Sequence, residues 1–183
     1  MIDQQFFHGY ATLILIIYVI YDLIRNRKKE RSLLRRFVFY SFIYYMINVI
    51  KLTLLPIMFI PFTVSVQLVP FYFVIDSLNS GYIATAYLQN IILLLPLGVY
   101  LPLLFQRLRN LKLTIFVAFL TSTSIETIQL IKGLTIGSHR TFNVDDIILN
   151  TFGAILGYFI FKIIFVILKK FNLSSLDKFD VRT

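Results

Sequence analysis

"IMFIPFTVSVQLVPFYFVI" runs from Ile57 to Ile75. It is almost wholly apolar, and its length approaches the roughly 20 helical residues that cross a bilayer. Counting it as a span, or not, decides which side of the membrane every later loop occupies. Pro61 and Pro70 lie within it. A proline in a helix interior removes a hydrogen bond and clashes with the preceding turn. The stretch is therefore expected to be a re-entrant or interfacial segment, not a span.

Five other apolar runs are long enough to cross. They are Phe6 to Ile24, Phe37 to Phe59, Ile83 to Phe105, Leu111 to Ile131 and Ile147 to Leu168. Asn48, Lys51 and Pro56 interrupt the second. The chain of 183 residues is 58% hydrophobic and 15% charged, with a mean hydropathy of +0.80. A soluble domain is nearer about half apolar and about a quarter charged. The expected fold is all-α, a polytopic membrane helix bundle of five transmembrane helices. The Pro-containing segment lies between the second and the third.

Charge placement agrees with five spans. Basic residues collect in cytoplasmic loops. "RNRKKERSLLRR", from Arg25 to Arg36, holds seven Lys and Arg. If that loop is cytoplasmic, the N-terminus is outside. The loop with Arg107, Arg109 and Lys112 is then inside, as is the tail with Lys169, Lys170, Lys178 and Arg182. A sixth span would carry Arg107, Arg109 and Lys112 outside. The net charge of +9 is thus read as a cytoplasmic rim that attracts anionic lipid, not as a nucleic-acid surface. No basic residue precedes the first apolar run, which reads as an uncleaved anchor. Tyr10, Tyr82, Tyr87 and Tyr100 are candidate interfacial anchors.

The polar residues inside or beside the spans then gather on the outer side. Ser122, Glu126 and Gln129 in "STSIETIQLIKG" are four and three positions apart, so they share a helical face. An ionisable side chain within a span costs about 2.5–3.5 kcal/mol or more unless paired. Glu126 is therefore the hardest to explain as decoration, although an ion pair with Lys51 or Arg140 would make it structural. Asp146, Asn150, Gly153 and Gly157 form one stripe on the last span. Gly153 and Gly157 make the G-x-x-x-G pattern that permits close helix approach. Asn143 is a candidate N-cap. Asp145 and Asp146 would then sit in the first turn, where the dipole favours negative charge. Asp145 points about 100° away from Asp146 and is expected to serve that helix start, so Asp145→Asn should be mild. Asp146 is expected to be the functional member, beside Arg140 and level with Glu126. Asn90 lies in the outer part of the third span. Pro96 with Gly98 reads as a helix kink.

"LTLLP", "QLVPF", "NIILLLPLGVYLP", "STSIETIQL" and "HRTFNVDDIILNTFGAILGY" occur in an order that resembles the motif series of the VanZ family, over about Phe37 to Leu168. The recurrent polar positions of that family map onto Asn90, Ser122, Glu126, Gln129, Arg140, Asp146 and Asn150. Asn143, Gln67 and Leu94 depart from residues frequent in the family, namely Asp, Asn and Phe. The resemblance divides the chain into an anchor helix with a basic loop (1–36), a VanZ-like membrane domain (37–168) and a basic tail (169–183). It implies a bacterial plasma-membrane protein, and the family's namesake is associated with low-level resistance to the glycopeptide teicoplanin.

Two readings of the function follow. In one, a non-enzymatic envelope protein binds an amphipathic ligand at the outer leaflet, such as a lipid-linked cell-wall precursor or a glycopeptide. Arg140 would meet a phosphate or carboxylate bidentately, and Asn90 and Asn150 would bond amide or sugar groups. In the other, an integral-membrane enzyme acts on a lipid phosphate or ester. Glu126 would be its general acid or base, and Asp145 with Asp146 would hold a divalent cation. The sequence has no nucleophile-elbow, zinc or phosphate-loop motif and no cysteine, so binding is the preferred reading. The expected partners are membrane lipids. No cofactor, resident metal or nucleic-acid partner is expected. A proton-coupled transporter is a third reading, to which the chain, without inverted repeats, lends little.

Overall fold

The computed structural model describes residues 4–25, 33–55, 65–136 and 142–170. Six α-helices are ordered along it: α1 (Gln4–Arg25), α2 (Leu33–Leu54), α3 (Tyr72–Ser80), α4 (Thr85–Leu104), α5 (Leu111–Ile136) and α6 (Val144–Lys170). A 3-10 turn, Gln106–Arg109, joins α4 to α5. Two short strands, β1 (Val66–Gln67) and β2 (Phe142–Asn143), pair in parallel, with Val66 opposite Phe142 and Gln67 opposite Asn143. All helices except α3 are long and apolar enough to cross a membrane. At 1.5 Å per residue, the nine residues of α3 cannot.

The helix ends follow from local chemistry. α2 stops at Leu54, two residues before Pro56, because the residue preceding a proline is pushed out of the helical region. Asn110 starts α5, its side-chain oxygen accepting the N–H groups of Lys112 at 2.9 Å and Leu113 at 3.4 Å. α4 carries Pro96 and Pro102 internally. In the turn before Pro96 the carbonyl of Leu93 accepts the Tyr45 hydroxyl at 2.7 Å.

Glycine sets the closest contact in the bundle. A Cβ on Gly153 would lie 1.9 Å from the Ile91 carbonyl oxygen, and one on Gly157 would lie 2.0 Å from that of Leu95. One on Gly98 would lie 1.9 Å from the Ala154 carbonyl oxygen. The G-x-x-x-G stripe therefore faces α4, and Gly98 answers it from the other side as a contact residue. Around this seam sit the buried Leu94, Leu97, Leu101, Ala118, Ile125, Ala154 and Val49. Large apolar residues such as Ile14, Ile92, Phe116 and Ile163 are exposed on the outside of the bundle, the surface that a membrane would cover.

The same contacts give the direction of the chain. Ile91 meets Gly153 and Leu95 meets Gly157, so α4 and α6 run parallel and begin at the same end of the bundle. The carbonyl of Thr53, at the end of α2, accepts the Gln129 amide near the end of α5 at 2.8 Å. Hence α2 and α5 finish where α4 and α6 begin, here called the polar end. The segment between α2 and α4 thus leaves and returns at one end, as β1 and the short α3 require. Among the described residues five helices are long and apolar enough to cross a membrane, and residues 65–75 of the Pro-containing stretch hold β1 and the start of the short α3 instead. Residues 57–64 of that stretch lie outside the described residues, as do Pro56, most of the basic loop and the tail beyond Lys170.

α1 is peripheral, with no buried residue. Asp22 holds it to α2 through Arg36 at 3.7 Å and the Tyr40 hydroxyl. At the polar end the Gln4 amide donates to the Leu55 carbonyl at 2.8 Å. Of the four tyrosines expected at the interface, Tyr87 and Tyr100 are half-buried: Tyr87 donates to Asp76 at 2.7 Å, and Tyr100 lies near Phe42 and Tyr45.

Gly153→Ala places its methyl group against backbone and not against a movable side chain. It is expected to lower the thermal midpoint and the monodisperse yield in detergent sharply. Gly9→Ala in α1, where nothing lies within 4 Å, should be neutral or slightly stabilising. Equal behaviour of the two variants would refute the α4–α6 seam.

Candidate functional site

Along "TSTSIETIQL" the helix sorts its polar residues by direction. Thr121, Ser124 and Thr127 donate to the carbonyls four residues earlier at 2.8, 2.7 and 2.7 Å. Such back-bonding satisfies a hydroxyl within its own helix, so these three need no partner elsewhere. Ser122, Glu126 and Gln129 turn inward instead and are 0%, 2% and 4% exposed.

Facing them is the start of α6. Asn143 caps it, its side-chain oxygen accepting the Asp145 N–H at 2.9 Å. The Asn143 amide nitrogen donates to Asp146 Oδ1 at 3.0 Å. In a capping box the carboxylate three residues on would accept the N-cap backbone N–H. Here that N–H crosses to α5 and donates to Glu126 Oε2 at 3.2 Å. Asn143 therefore joins Glu126 and Asp146, one through its backbone and the other through its side chain. A turn deeper, the Asn150 amide nitrogen donates to the Ser122 hydroxyl at 2.9 Å. Asn150 is 1% exposed, and its Oδ1 is buried without a hydrogen-bond partner.

Asp145 does something the sequence did not suggest. It is buried, and its two oxygens accept the backbone N–H groups of Phe71 at 2.6 Å and Phe73 at 2.8 Å. It serves a helix start, but that of α3 and not its own. Phe71 sits at φ 62°, a left-handed conformation uncommon for a bulky residue. The carboxylate holds that strained corner in place. With both oxygens committed to backbone, Asp145 does not pair with Asp146 around a cation, as the enzyme reading had supposed.

Gln129 and Lys132 lie at the rim. Gln129 donates to the Thr53 carbonyl and Lys132 to that of Leu54, at 2.8 and 3.0 Å. They cap the carbonyls that α2 leaves open where it ends. Lys51 is half-buried in the last turn of α2, where the helix dipole favours a cation. Asn90 is half-buried on α4, next to the residue that meets Gly153. Arg140 and His139 lie outside the described residues.

The structure thus brings Ser122, Glu126, Asp146 and Asn150 into one column, with Gln129 bonded to α2 beside it. Asn143, Gln67 and the open carbonyls of α2 were not among the expected site residues. Pro56 is the signal for those carbonyls, because it stops α2 abruptly. Nothing in a linear pattern pairs Asn143 with Glu126.

The model of the family described as VanZ/LLP1 matches residues 42–166. No curated protein matches the chain. No solved structure matches it either.

Asp145→Asn turns one buried hydrogen-bond acceptor into a donor opposite the backbone N–H groups of Phe71 and Phe73. The cost expected is on the order of 1–3 kcal/mol, in place of the mild effect expected from position alone. Asp146→Asn should cost about 0.3–1 kcal/mol through the helix dipole. Thermal unfolding in one detergent compares them, and a smaller loss for Asp145→Asn would contradict the α3 clamp.

Proposed function

The chain belongs to the VanZ/LLP1 family, and on that premise we propose that it is a non-enzymatic protein of the bacterial plasma membrane. In this reading it binds an amphipathic or lipid-linked ligand at the outer leaflet and lowers susceptibility to teicoplanin-type glycopeptides. The observation that carries the proposal is the polar column at one end of an apolar bundle. Asn143 bonds both Glu126 and Asp146 there, and one turn deeper Asn150 bonds Ser122. Buried polar groups at membrane depth are costly and mark functional sites by default. A head group would enter at that end, while its chains lie against the exposed apolar flanks.

The orientation belongs to the proposal. Positive loops favour the cytoplasmic side. The basic residues Arg107 and Arg109 lie between α4 and α5, and Lys112 lies in the first turn of α5, opposite the polar end, so the polar end is outside. Arg140, in the loop leading to β2, would meet a phosphate or carboxylate of the ligand. Binding is favoured over hydrolysis because the Asp145 carboxylate is engaged by the backbone of α3, leaving Glu126 and Asp146 as the carboxylates at the mouth.

Two measurements test the reading. Impermeant thiol labelling in intact cells should modify His139→Cys and spare Arg107→Cys, and the reverse pattern would invert the orientation. Asn150→Ala and Arg140→Ala should raise teicoplanin susceptibility to that of a deletion strain while yielding monodisperse protein. If both variants aggregate, or if deletion leaves susceptibility unchanged, the resistance role fails.

A further inference from the structure

Two side-chain amide oxygens near the polar end are left without a hydrogen bond. Asn150 Oδ1 is buried without a partner, and so is Gln67 Oε1. The amide nitrogen of each residue donates one hydrogen bond elsewhere, that of Asn150 to Ser122 at 2.9 Å and that of Gln67 to the Val69 carbonyl at 2.8 Å.

The two orphans flank one pair. Gln67 is the strand partner of Asn143, and side chains opposite one another in neighbouring strands lie on the same face. Asn150 follows Asp146 by four residues, one turn along α6. Asn143 and Asp146 are hydrogen-bonded to each other. One orphan thus borders the pair from the β1 side, and the other lies beneath it.

A buried acceptor left without a donor costs stability, and native structures keep such groups where a water, ion or ligand completes them. An amide oxygen accepts hydrogen bonds and offers nothing to an anion. We propose that Asn150 Oδ1 and Gln67 Oε1 select a head group that donates hydrogen bonds, through hydroxyl or ammonium groups. This rests on the reading of the polar end as an amphipath site and deepens it. The two amide oxygens would take the donors of the ligand.

Lipids differing only in donors test this. Phosphatidylethanolamine and phosphatidylcholine with identical chains carry the same charge, but only the first has N–H groups. A dihexosyl diacylglycerol supplies hydroxyls, and its permethylated form keeps the shape without them. Native mass spectrometry of the full chain, titrated with each lipid, is expected to show donor-bearing lipids bound at least about tenfold more tightly than donor-free ones, the usual worth of one buried hydrogen bond. Preference for the ethanolamine or for the glycolipid separates the two donor sources.

Asn150→Leu and Gln67→Met remove the orphan acceptors at similar size. Each is expected to keep or raise the thermal midpoint of the lipid-free protein while abolishing the donor preference. Thr127→Ala, which removes an exposed hydroxyl bonded within α5, should retain it. Equal binding of donor-bearing and donor-free lipids would overturn the acceptor proposal, assign the orphans to fixed water only, and leave the amphipath reading intact. Preference persisting in Asn150→Leu and Gln67→Met would also overturn it. Binding of no lipid at all would overturn both readings.

Discussion

A backbone inside a membrane must satisfy its own hydrogen bonds, because hydrocarbon offers none. Within the long helices this is automatic. The difficulty falls on their ends and on the stretch between α2 and α4, and side chains resolve it there. The open carbonyls of Thr53, Leu54 and Leu55 take donors from Gln129, Lys132 and Gln4. The first turn of α3 takes both oxygens of Asp145, and the N–H of Asn143 goes to Glu126. The polar end is polar in large part because backbone there has left the helix.

The same requirement explains why α4 and α6 touch so closely. Without a hydrophobic force between helices in lipid, association rests on packing. Gly98, Gly153 and Gly157 let backbone meet backbone where a Cβ would collide with a carbonyl. That seam makes α4 and α6 parallel, and the parallel pair sets the ends of the bundle. Because both helices begin at the polar end, the intervening α5 must return to it. Its buried face then lies opposite the start of α6, and Glu126 can reach Asn143.

Residues of the proposed site also hold the fold together at this end. Asp145 and Gln129 bond backbone, and substituting them would disturb the fold whatever the ligand. Asn150 is different. One end of its amide is bonded to Ser122, while its oxygen is buried without a hydrogen-bond partner. A group that costs stability and fills no structural bond is the better mark of function than a group that caps a helix. On that criterion the centre of the site moves from the carboxylates toward Asn150 and Gln67.

The sequence by itself determined the membrane class, the five spans and the inward stripes. Apolar run length, proline positions and residue spacing are local properties, and Ser122, Glu126, Asp146 and Asn150 could be placed on faces from their intervals alone. Which element each stripe would meet was decided by the tertiary structure. Asp145 and Asp146 are adjacent and chemically identical, and only the return of residues 65–73 to the polar end gives the first of them two backbone donors. Asn143 stood out in sequence as a departure from a family pattern, and in space it is the residue that joins Glu126 to Asp146. Hydrogen bonds across 17 to 74 residues of chain carry no periodic trace, because the periodicity of a helix records the face a residue occupies and not the element that arrives there.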